Sequence, residues 1–249
     1  MTDSDPFRFH EPPRPCSYLP AETAALEYRF FREVSPERMS QLLRRGWRRM
    51  GIHFFRPRCP QCTRCRSLRV DVEAFQPTKS QRRCLSKNTE IRCEPVRPGV
   101  SPERIALYNA YHADMHERRG WPERGTTADE YAESFLTGGW DFAYELQYRE
   151  GAELVGLGLI DVVPDALSSI YFYHAPRWRD RGPGTFTILQ EIELARRLGK
   201  RWLYLGYWIA ECQSMAYKNA FGPHQILRDY ITDQEEPVWE APAPASESP

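Results

Sequence analysis

The chain has 249 residues, with 34 Lys and Arg, 34 Asp and Glu, and 41% apolar residues. This length and apolar content predict a globular protein of one or two domains and exclude an intrinsically disordered chain. The longest apolar run, at residues 154–163, is far shorter than the roughly 20 residues that span a bilayer, and the N-terminus has no signal-peptide pattern. We therefore expect a cytoplasmic protein with no membrane partner, in which the seven cysteines are mostly reduced.

The net charge of zero hides an uneven distribution. Residues 1–124 carry 24 basic and 15 acidic side chains, a net +9, whereas residues 125–249 carry 10 and 19, a net −9. The excess is greatest between Arg29 and Arg97, with 18 basic and 6 acidic side chains, a net +12. Such a patch is expected to attract a polyanion such as nucleic acid. The alternative is a general preference for arginine, since 30 of the 34 basic residues are arginine.

The first 88 residues are predicted to form a small, basic α/β domain. Its expected elements are strands at 25–34, 52–55 and 67–75 and helices at 35–47 and 79–87. Ser35 is suited to cap the first of these helices, and Pro36 to occupy its first turn. In the third strand, apolar and charged residues alternate, which is typical of a half-buried strand.

A loop between two of these strands contains Cys59, Cys62 and Cys65 in the stretch CPQCTRC. Thiols at this spacing are typical of metal ligands, although a metal or cluster usually has four of them. The alternative is three reduced thiols in a tight loop. The other cysteines on predicted elements are expected to be packing thiols: Cys84, Cys93 and Cys212.

The second half, residues 89–234, has the pattern of an α+β domain. The expected strands are 89–94, 140–149, 153–163, 167–175, 201–207 and 225–231, and the expected helices are 101–120, 127–136, 185–198 and 211–221. Short turns at Gly151 and Asp165 predict that the three central strands form an antiparallel meander. From residue 235 the chain is rich in Pro, Ala, Ser and Glu, which predicts a disordered tail over 235–249.

This order of elements resembles the GCN5-related N-acetyltransferase fold. That fold often carries R/Q-x-x-G-x-G/A after its third strand, and Arg179, Gly182 and Gly184 satisfy the motif. Backbone N–H groups at the start of the following helix would bind phosphate. The alternative is an ordinary strand-to-helix loop. Because Pro183 has no N–H, we expect this loop to make fewer backbone contacts with a ligand than the generic fold would make.

Longer motifs resemble those of the bacterial aspartate/glutamate leucyltransferases, which are related to the eukaryotic arginyl-tRNA–protein transferases. They are CSYLP at 16–20, RRGWRRMGIHFFRPRCPQCTRCRSLRV at 44–70, SQRRCLSKN at 80–88, LSSIYFYHAP at 167–176 and YLGYWIAECQSMAYK at 204–218. The resemblance implies an aminoacyltransferase that moves leucine from leucyl-tRNA to the α-amine of proteins beginning with Asp or Glu. Its products would then pass to the adaptor and protease of N-degron degradation.

The resemblance also implies a fourth sulfur ligand. It places Cys16 beside Cys59, Cys62 and Cys65, and both zinc and an iron–sulfur cluster fit four such thiolates. Eukaryotic relatives have a second cysteine where this chain has Leu19. No nucleotide cofactor is expected.

Transfer to an acidic N-terminus requires a cation for the Asp or Glu side chain. The arginines of the shared motifs are the candidates, since a guanidinium pairs with a carboxylate through two hydrogen bonds; they are Arg48, Arg49, Arg82 and Arg83. The alternative for each is a tRNA phosphate contact or a solvated face.

The tRNA end requires stacking surfaces and an apolar pocket. Four tyrosines on predicted strands are candidates: Tyr171, Tyr173, Tyr204 and Tyr207. Lys218 could contact the terminal adenosine phosphate or the ester carbonyl, and Asp161 could orient or deprotonate the amine. We assign Asp161, Tyr207 and Lys218 to catalysis. The alternatives are a turn cap for Asp161, core or pocket-wall packing for the tyrosines and a solvated position on a helix for Lys218.

Three rival functions remain open from sequence. A CoA-dependent N-acetyltransferase would share the fold and the glycine loop, but would not need the basic first domain. A metal-stabilised RNA-binding protein would use that domain alone and would catalyse nothing. An arginyl-transferring enzyme would differ only in its donor amino acid.

Overall fold

The computed structural model describes residues 7–123 and 125–242, and its first sheet is built from the N-terminal segment. The strands of that sheet are β1 (Phe7–His10), β4 (Leu26–Phe30), β5 (Arg48–Met50) and β6 (His53–Pro57). They pair antiparallel in the order β1-β4-β6-β5. A small ribbon of β2 (Arg14–Pro15) and β3 (Thr23–Ala24) lies between β1 and β4 in the sequence.

The second sheet has eight strands. They are β7 (Arg66–Asp71), β8 (Ile91–Val96), β9 (Ala143–Glu150), β10 (Glu153–Val162), β11 (Ala166–His174), β12 (Trp202–Trp208), β13 (His224–Leu227) and β14 (Trp239–Glu240). Their order is β14-β13-β7-β12-β11-β10-β9-β8. All neighbouring pairs are antiparallel except β11 and β12, which run parallel. The predicted meander is confirmed, because β9, β10 and β11 are consecutive antiparallel strands.

Helices flank these sheets. They are α1 (Pro36–Arg44), α2 (Lys79–Ser86), α3 (Pro102–Arg119), α4 (Ala128–Phe135), α5 (Pro183–Arg197) and α6 (Gln213–Ala216), with 3-10 helices at Pro176–Arg181 and Tyr217–Ala220. Ser35 caps α1 as predicted, accepting the Arg38 N–H at 3.2 Å. The single helix predicted at 211–221 is instead the short α6 followed by a 3-10 helix, in which Lys218 turns back toward β12. Within the described ranges, no helix has the length and apolarity to cross a membrane.

Two hydrophobic clusters hold these layers together. The larger packs α3 and α5 against the second sheet. The smaller joins α1 and β6 to the second half of the chain, and it contains Met39, Leu42, Leu43, Trp47, Phe54, Trp140, Phe142, Val163 and Trp202. Burial of large side chains from both halves in one cluster fixes the first sheet against the second.

The second sheet also takes in a strand from the N-terminal segment. β7 pairs with both β12 and β13, although it lies before residue 88. The domain boundary at residue 88 stays a prediction. The α+β class is confirmed.

The segment predicted to be a disordered tail supplies β14. The Trp239 ring lies 4.2 Å from the Arg69 guanidinium carbon and 5.6 Å from the Tyr204 ring, and its indole N–H donates to the Arg44 carbonyl at 3.0 Å. These contacts hold β14 against β13, with which it pairs antiparallel. Residues 243–249 of the predicted tail lie outside the described residues.

Candidate active site at a split between two strands

The parallel strands β11 and β12 separate after a short paired stretch. They are in register only over residues 166–168 and 202–204. Beyond this point β11 continues beside β10 alone, and β12 continues beside β7. The split therefore leaves backbone groups of β11 open to side chains from other elements.

Arg48 enters this split from the start of β5. One of its Nη atoms donates to the Ser168 hydroxyl at 3.4 Å, and the other donates to the Ser169 carbonyl. Among the described residues, no carboxylate lies within ion-pair distance of Arg48. Burial lowers the pKa of this guanidinium, while the more distant Tyr207, Asp161 and Glu191 raise it. An arginine placed in this way lacks a negative charge to balance its guanidinium.

Lys218 is electrostatically coupled to Arg48. The side chain is only 8% exposed, and its Nζ donates to the Tyr207 carbonyl at 2.6 Å and approaches the Met215 sulfur at 3.5 Å. Burial, followed by the charge of Arg48, lowers the pKa of Lys218 to about 7. A large fraction of this amine is therefore neutral at neutral pH and is able to accept a proton.

Glu191 faces the same split from α5, and the sequence analysis missed it. Its side chain is 0% exposed; Oε1 accepts the Ser169 hydroxyl at 3.1 Å, and Oε2 has no partner among the described residues. Burial raises the pKa of Glu191 to about 8, although Ser169 and Arg48 act in the opposite direction. An acid within the apolar run FTILQEIELA is the signal that could have identified it.

The structure pairs Arg49 with Asp161, two residues predicted to have separate tasks. Arg49 Nε donates to both carboxylate oxygens of Asp161, at 3.1 and 3.0 Å, and an Nη atom adds a third bond. The exposed fractions are 4% for Arg49 and 0% for Asp161. Burial raises the pKa of the Asp161 carboxyl, and the Arg49 guanidinium opposes that rise. This enclosed pair is suited to hold β5 against β10.

The remaining predicted arginines lie away from the split. Arg82 and Arg83 are exposed on α2, and Arg82 donates to the Pro77 carbonyl at 2.5 Å. Arg179 is half-buried and forms an ion pair with Asp114.

The four candidate tyrosines fall into two groups. Tyr173 is fully buried and shares a hydrogen bond of 2.8 Å with Tyr131, while Tyr171 contacts His112 Nε2 at 2.9 Å within an aromatic cluster on α3 and α4. The second group lies on β12, with Tyr204 at the end of the paired stretch and Tyr207 beyond it. Tyr204 is buried and accepts from Arg69 at 3.3 Å, and Tyr207 donates to the carbonyls of Gly46 and Phe55. Burial raises the pKa of Tyr207 well above its usual value, so its hydroxyl stays protonated.

The four cysteines predicted as metal ligands are half-buried free thiols. Cys16 Sγ accepts the backbone N–H groups of Tyr18 and Leu19, both at 3.4 Å. Burial raises the pKa of Cys65 to about 12, with further contributions from Cys59, Cys16 and Cys62, so the four sulfurs share one neighbourhood. In residues 7–123 and 125–242, however, no three metal-ligating side chains have the geometry to hold an ion.

Two family models match most of the chain. The model described as "Arginine-tRNA-protein transferase, N terminus" matches residues 14–83, and the one described as "Arginine-tRNA-protein transferase, C terminus" matches residues 103–228. The chain belongs to this transferase family. It is an aminoacyl-tRNA–protein transferase, so its substrates are an aminoacyl-tRNA and a protein.

Curated relatives of this transferase have nearly the same length. The aspartate/glutamate leucyltransferase of Helicobacter hepaticus is 34% identical over 93% of this chain and 96% of its own. That of Marinobacter nauticus is 39% identical over 89% and 92%. Among solved structures, FemX superposes with a TM-score of 0.50 over 92% of this chain and 89% of its own, at 9% identity. FemX and this chain therefore share their overall fold.

The glycine loop of this transferase offers little backbone to a phosphate. Gly182 has a φ of 71° and its N–H donates to the Arg179 carbonyl, while Pro183 has no N–H. The N–H of Thr185 donates to Gly182, so Gly184 is left with the one uncommitted N–H of the first turn. Helix α2 covers the loop as well, because the Cys84 thiol lies 3.4 Å from the Gly182 carbonyl. A pyrophosphate cradle needs several free N–H groups, so this loop is poorly suited to CoA.

Proposed function

We propose that this transferase moves leucine from leucyl-tRNA to the N-terminal α-amine of proteins beginning with Asp or Glu. Relatives of the same length that are named aspartate/glutamate leucyltransferases support the donor and the acceptors. The structural observation that carries the proposal is Arg48, a guanidinium in the strand split with no carboxylate partner among the described residues. Binding a substrate carboxylate there supplies the missing counter-charge.

We assign the acceptor's carboxylate to Arg48 rather than to the other candidate arginines, because their surroundings differ. The Asp161 carboxylate already engages Arg49, so Arg49 has no free edge for a substrate. The exposed Arg82 and Arg83 belong to the basic surface and are suited to tRNA phosphates. In the proposed complex, the acceptor's Asp or Glu side chain pairs with Arg48, which places the adjoining α-amine near Lys218.

Lys218 then serves as the proton acceptor. The neutral α-amine attacks the ester carbonyl carbon, so that a C–N bond forms and the C–O bond to the terminal ribose breaks. The proton lost by the attacking nitrogen passes to Lys218 Nζ, and the ribose oxygen leaves with a proton from the same lysine. A base with a pKa of about 7 is matched to both transfers at neutral pH. No covalent enzyme intermediate is needed, because the ester is already activated.

The direct test uses purified protein with radiolabelled leucyl- or arginyl-tRNA. The acceptors are peptides that differ only in the first residue, which is Asp, Glu, Asn or Ala. We expect fast leucine transfer to the Asp and Glu peptides, slow transfer to the Asn peptide and none to the Ala peptide. The Arg48→Gln variant should lose at least about tenfold in kcat/KM for Asp but not for the slow Asn peptide, because only Asp needs the charge. Arginine transfer would overturn the donor, and equal use of Asn would overturn the acceptor.

The CoA-dependent alternative makes an opposite prediction. An acetyltransferase should be stabilised against heat by acetyl-CoA, since ligands that bind only the folded state raise its melting temperature. The covered glycine loop leads us to expect no such shift. Leucyl-tRNA, in contrast, should raise the melting temperature.

We further propose that the transfer occurs in the cytoplasm and that its products pass to an adaptor and protease. A new N-terminal leucine is the only covalent change in the product, so a downstream receptor must recognise an apolar first residue. A reporter beginning with Asp should accumulate when the enzyme is removed from cells. A reporter beginning with Leu should still be degraded.

We also propose that Cys16, Cys59, Cys62 and Cys65 bind zinc or an iron–sulfur cluster after their side chains move together. The electrostatic coupling of Cys65 with Cys59, Cys16 and Cys62 supports this proposal, because it places the four sulfurs in one neighbourhood. Elemental analysis of the purified protein tests this. Cys62→Ser should lose the metal and Cys212→Ser should retain it, whereas a metal-free wild-type protein would contradict the proposal.

A further inference from the structure

One face of the first sheet is lined by aromatic rings rather than by aliphatic side chains. Cross-strand register places six such rings on this face, since residues two apart along a strand point to the same side. They are Phe7, Phe9, Tyr28, Phe30, His53 and Phe55, and we call this set the aromatic face.

The rings of the aromatic face are accessible. Phe7 is 69% exposed and Phe9 is 45% exposed, His53 is exposed, and Tyr28, Phe30 and Phe55 are half-buried. Large apolar side chains exposed side by side are unusual on a protein surface and point to a binding site. The opposite face of the same sheet, in contrast, carries buried residues such as Phe54 and Arg56.

These rings form a continuous row that leads to the candidate active site. Ring centroids are 6.2 Å apart for Phe9 and Tyr28, 6.1 Å for Tyr28 and Phe55, and 6.4 Å for Phe55 and Tyr207. At the inner end, Phe55 is the cross-strand partner of Arg48, and the Tyr207 carbonyl binds Lys218. An extended ligand that lies along this row of rings would therefore reach the strand split.

We propose that the aromatic face binds the unpaired 3′ end of the aminoacyl-tRNA by base stacking, so that the terminal ester reaches Arg48 and Lys218. This inference rests on the proposed function, because the ester must arrive at that site. Exposed rings on a sheet are a general platform for unpaired bases, which all have a stacking face. Four strands span about 14 Å, which is room for about three or four stacked nucleotides.

Charge favours a nucleic acid over a second copy of the chain or another protein. Arg32 follows β4; it is exposed, and no carboxylate of the described residues pairs with it. Arg14 and Glu11 form an ion pair of 2.8 Å and are both electrostatically coupled to Tyr28, so together they add no net charge there. Three rings of the aromatic face, Phe30, His53 and Phe55, lie within the basic segment between Arg29 and Arg97, where phosphates are attracted.

Binding of uncharged tRNA, measured by fluorescence anisotropy, tests the aromatic face without requiring any transfer. The informative variant is Phe9→Leu with Tyr28→Leu, which removes two rings but keeps apolar volume. Its matched control is Phe9→Tyr with Tyr28→Phe, which keeps both rings. A second control is Leu198→Ala, because Leu198 is 46% exposed at the end of α5, on another part of the molecule.

We expect the double leucine variant to weaken tRNA binding at least about tenfold, since each base stack lost has roughly that effect. Both controls should bind as the wild type does. A tRNA trimmed of its unpaired 3′ end should bind the wild type and the leucine variant equally weakly.

Equal binding of intact tRNA by the leucine and ring-retaining variants would overturn the proposal, as would tight binding of the trimmed tRNA to the wild type. A wild-type dimer that the leucine variant converts to monomer would also overturn it, because the face would then join two copies. Failure of the proposed function is separate: the rings would still bind tRNA, but no leucine would reach an Asp peptide.

Discussion

Arg48 approaches β12 so closely at Gly206 that a Cβ on Gly206 would lie only 2.8 Å from the guanidinium carbon. Gly206 also has a φ of 77°, a backbone conformation that favours glycine. We predict that Gly206→Ala displaces Arg48 from the strand split. The variant should lose at least about tenfold in kcat/KM for an Asp peptide, because the carboxylate contact is misplaced.

Gly199 supplies the matched control for this prediction. Its φ is 64°, but a Cβ there would meet nothing within 4 Å. Both alanine variants should lose about 1–2 kcal/mol of stability from backbone strain in urea denaturation, and only Gly206→Ala should lose activity. Equal activity of the two variants would show that the position of Arg48 does not limit transfer.

Lys218 should be visible in the pH dependence of transfer. Two groups must be neutral for reaction: Lys218, with a pKa of about 7, and the peptide α-amine, with a pKa of about 8. Below both values, log kcat/KM should therefore rise with pH with a slope near two. In Lys218→Met the slope should fall to one, and the rate near pH 7 should drop by about a hundredfold.

This comparison does not depend on the stability of the variant, because it uses the shape of the profile rather than its height. Single-turnover rates between about pH 5.5 and 7.5 suffice, where the folded fraction is checked by circular dichroism. A slope near two that persists in Lys218→Met would assign the second proton to another group. Glu191 would then be the next candidate, since it lies in the same split.

Glu191 should lower the stability of the protein as pH rises. Its pKa is raised to about 8 in the folded state, so between about pH 4.5 and 8 the folded protein holds a proton that the unfolded chain has released. Stability from this group is therefore complete below about pH 4.5 and is lost as pH approaches 8. In Glu191→Gln, urea denaturation at pH 5 and pH 8 should show this loss reduced by on the order of 3 kcal/mol.

Ser169→Ala serves as the control for Glu191→Gln. It removes the hydroxyl that donates to Oε1, but it leaves the carboxyl able to titrate. The pH dependence of its stability should persist, whereas that of Glu191→Gln should not. If both proteins show the wild-type dependence, Glu191 does not titrate in this range.

Much of the fold could be predicted from local patterns. Capping residues such as Ser35, followed by Pro36, marked where helices begin, and alternation marked the strands. These signals are short-range, so they could not show that β7, which lies before residue 88, pairs within the second sheet. They also missed β14, whose Trp239 is held by residues far away in the sequence.

Most residues of the site could be predicted from the sequence, but the contacts between their side chains could not. The arginines were predicted because they lie in the motifs that carry the family resemblance, and Lys218 because it is one of four lysines and lies in such a motif. The signal at Glu191, an acid within an apolar run, was missed. No local pattern separates Arg48 from its neighbour Arg49. Their side chains point to opposite faces of β5, so that one enters the strand split and the other meets Asp161 on β10.

The Arg49–Asp161 pair therefore provides a test between a structural and a catalytic role for Asp161. If the pair is structural, Asp161→Asn leaves a buried guanidinium without its counter-charge and should cost about 3–5 kcal/mol in urea denaturation. The double variant Arg49→Met with Asp161→Leu should regain most of that stability, and it should regain transfer activity as well. A general base behaves differently: Asp161→Asn would keep its stability and lose activity, and the double variant would fold and remain inactive. Because the carboxylate oxygens already accept three bonds from Arg49, we expect the first result.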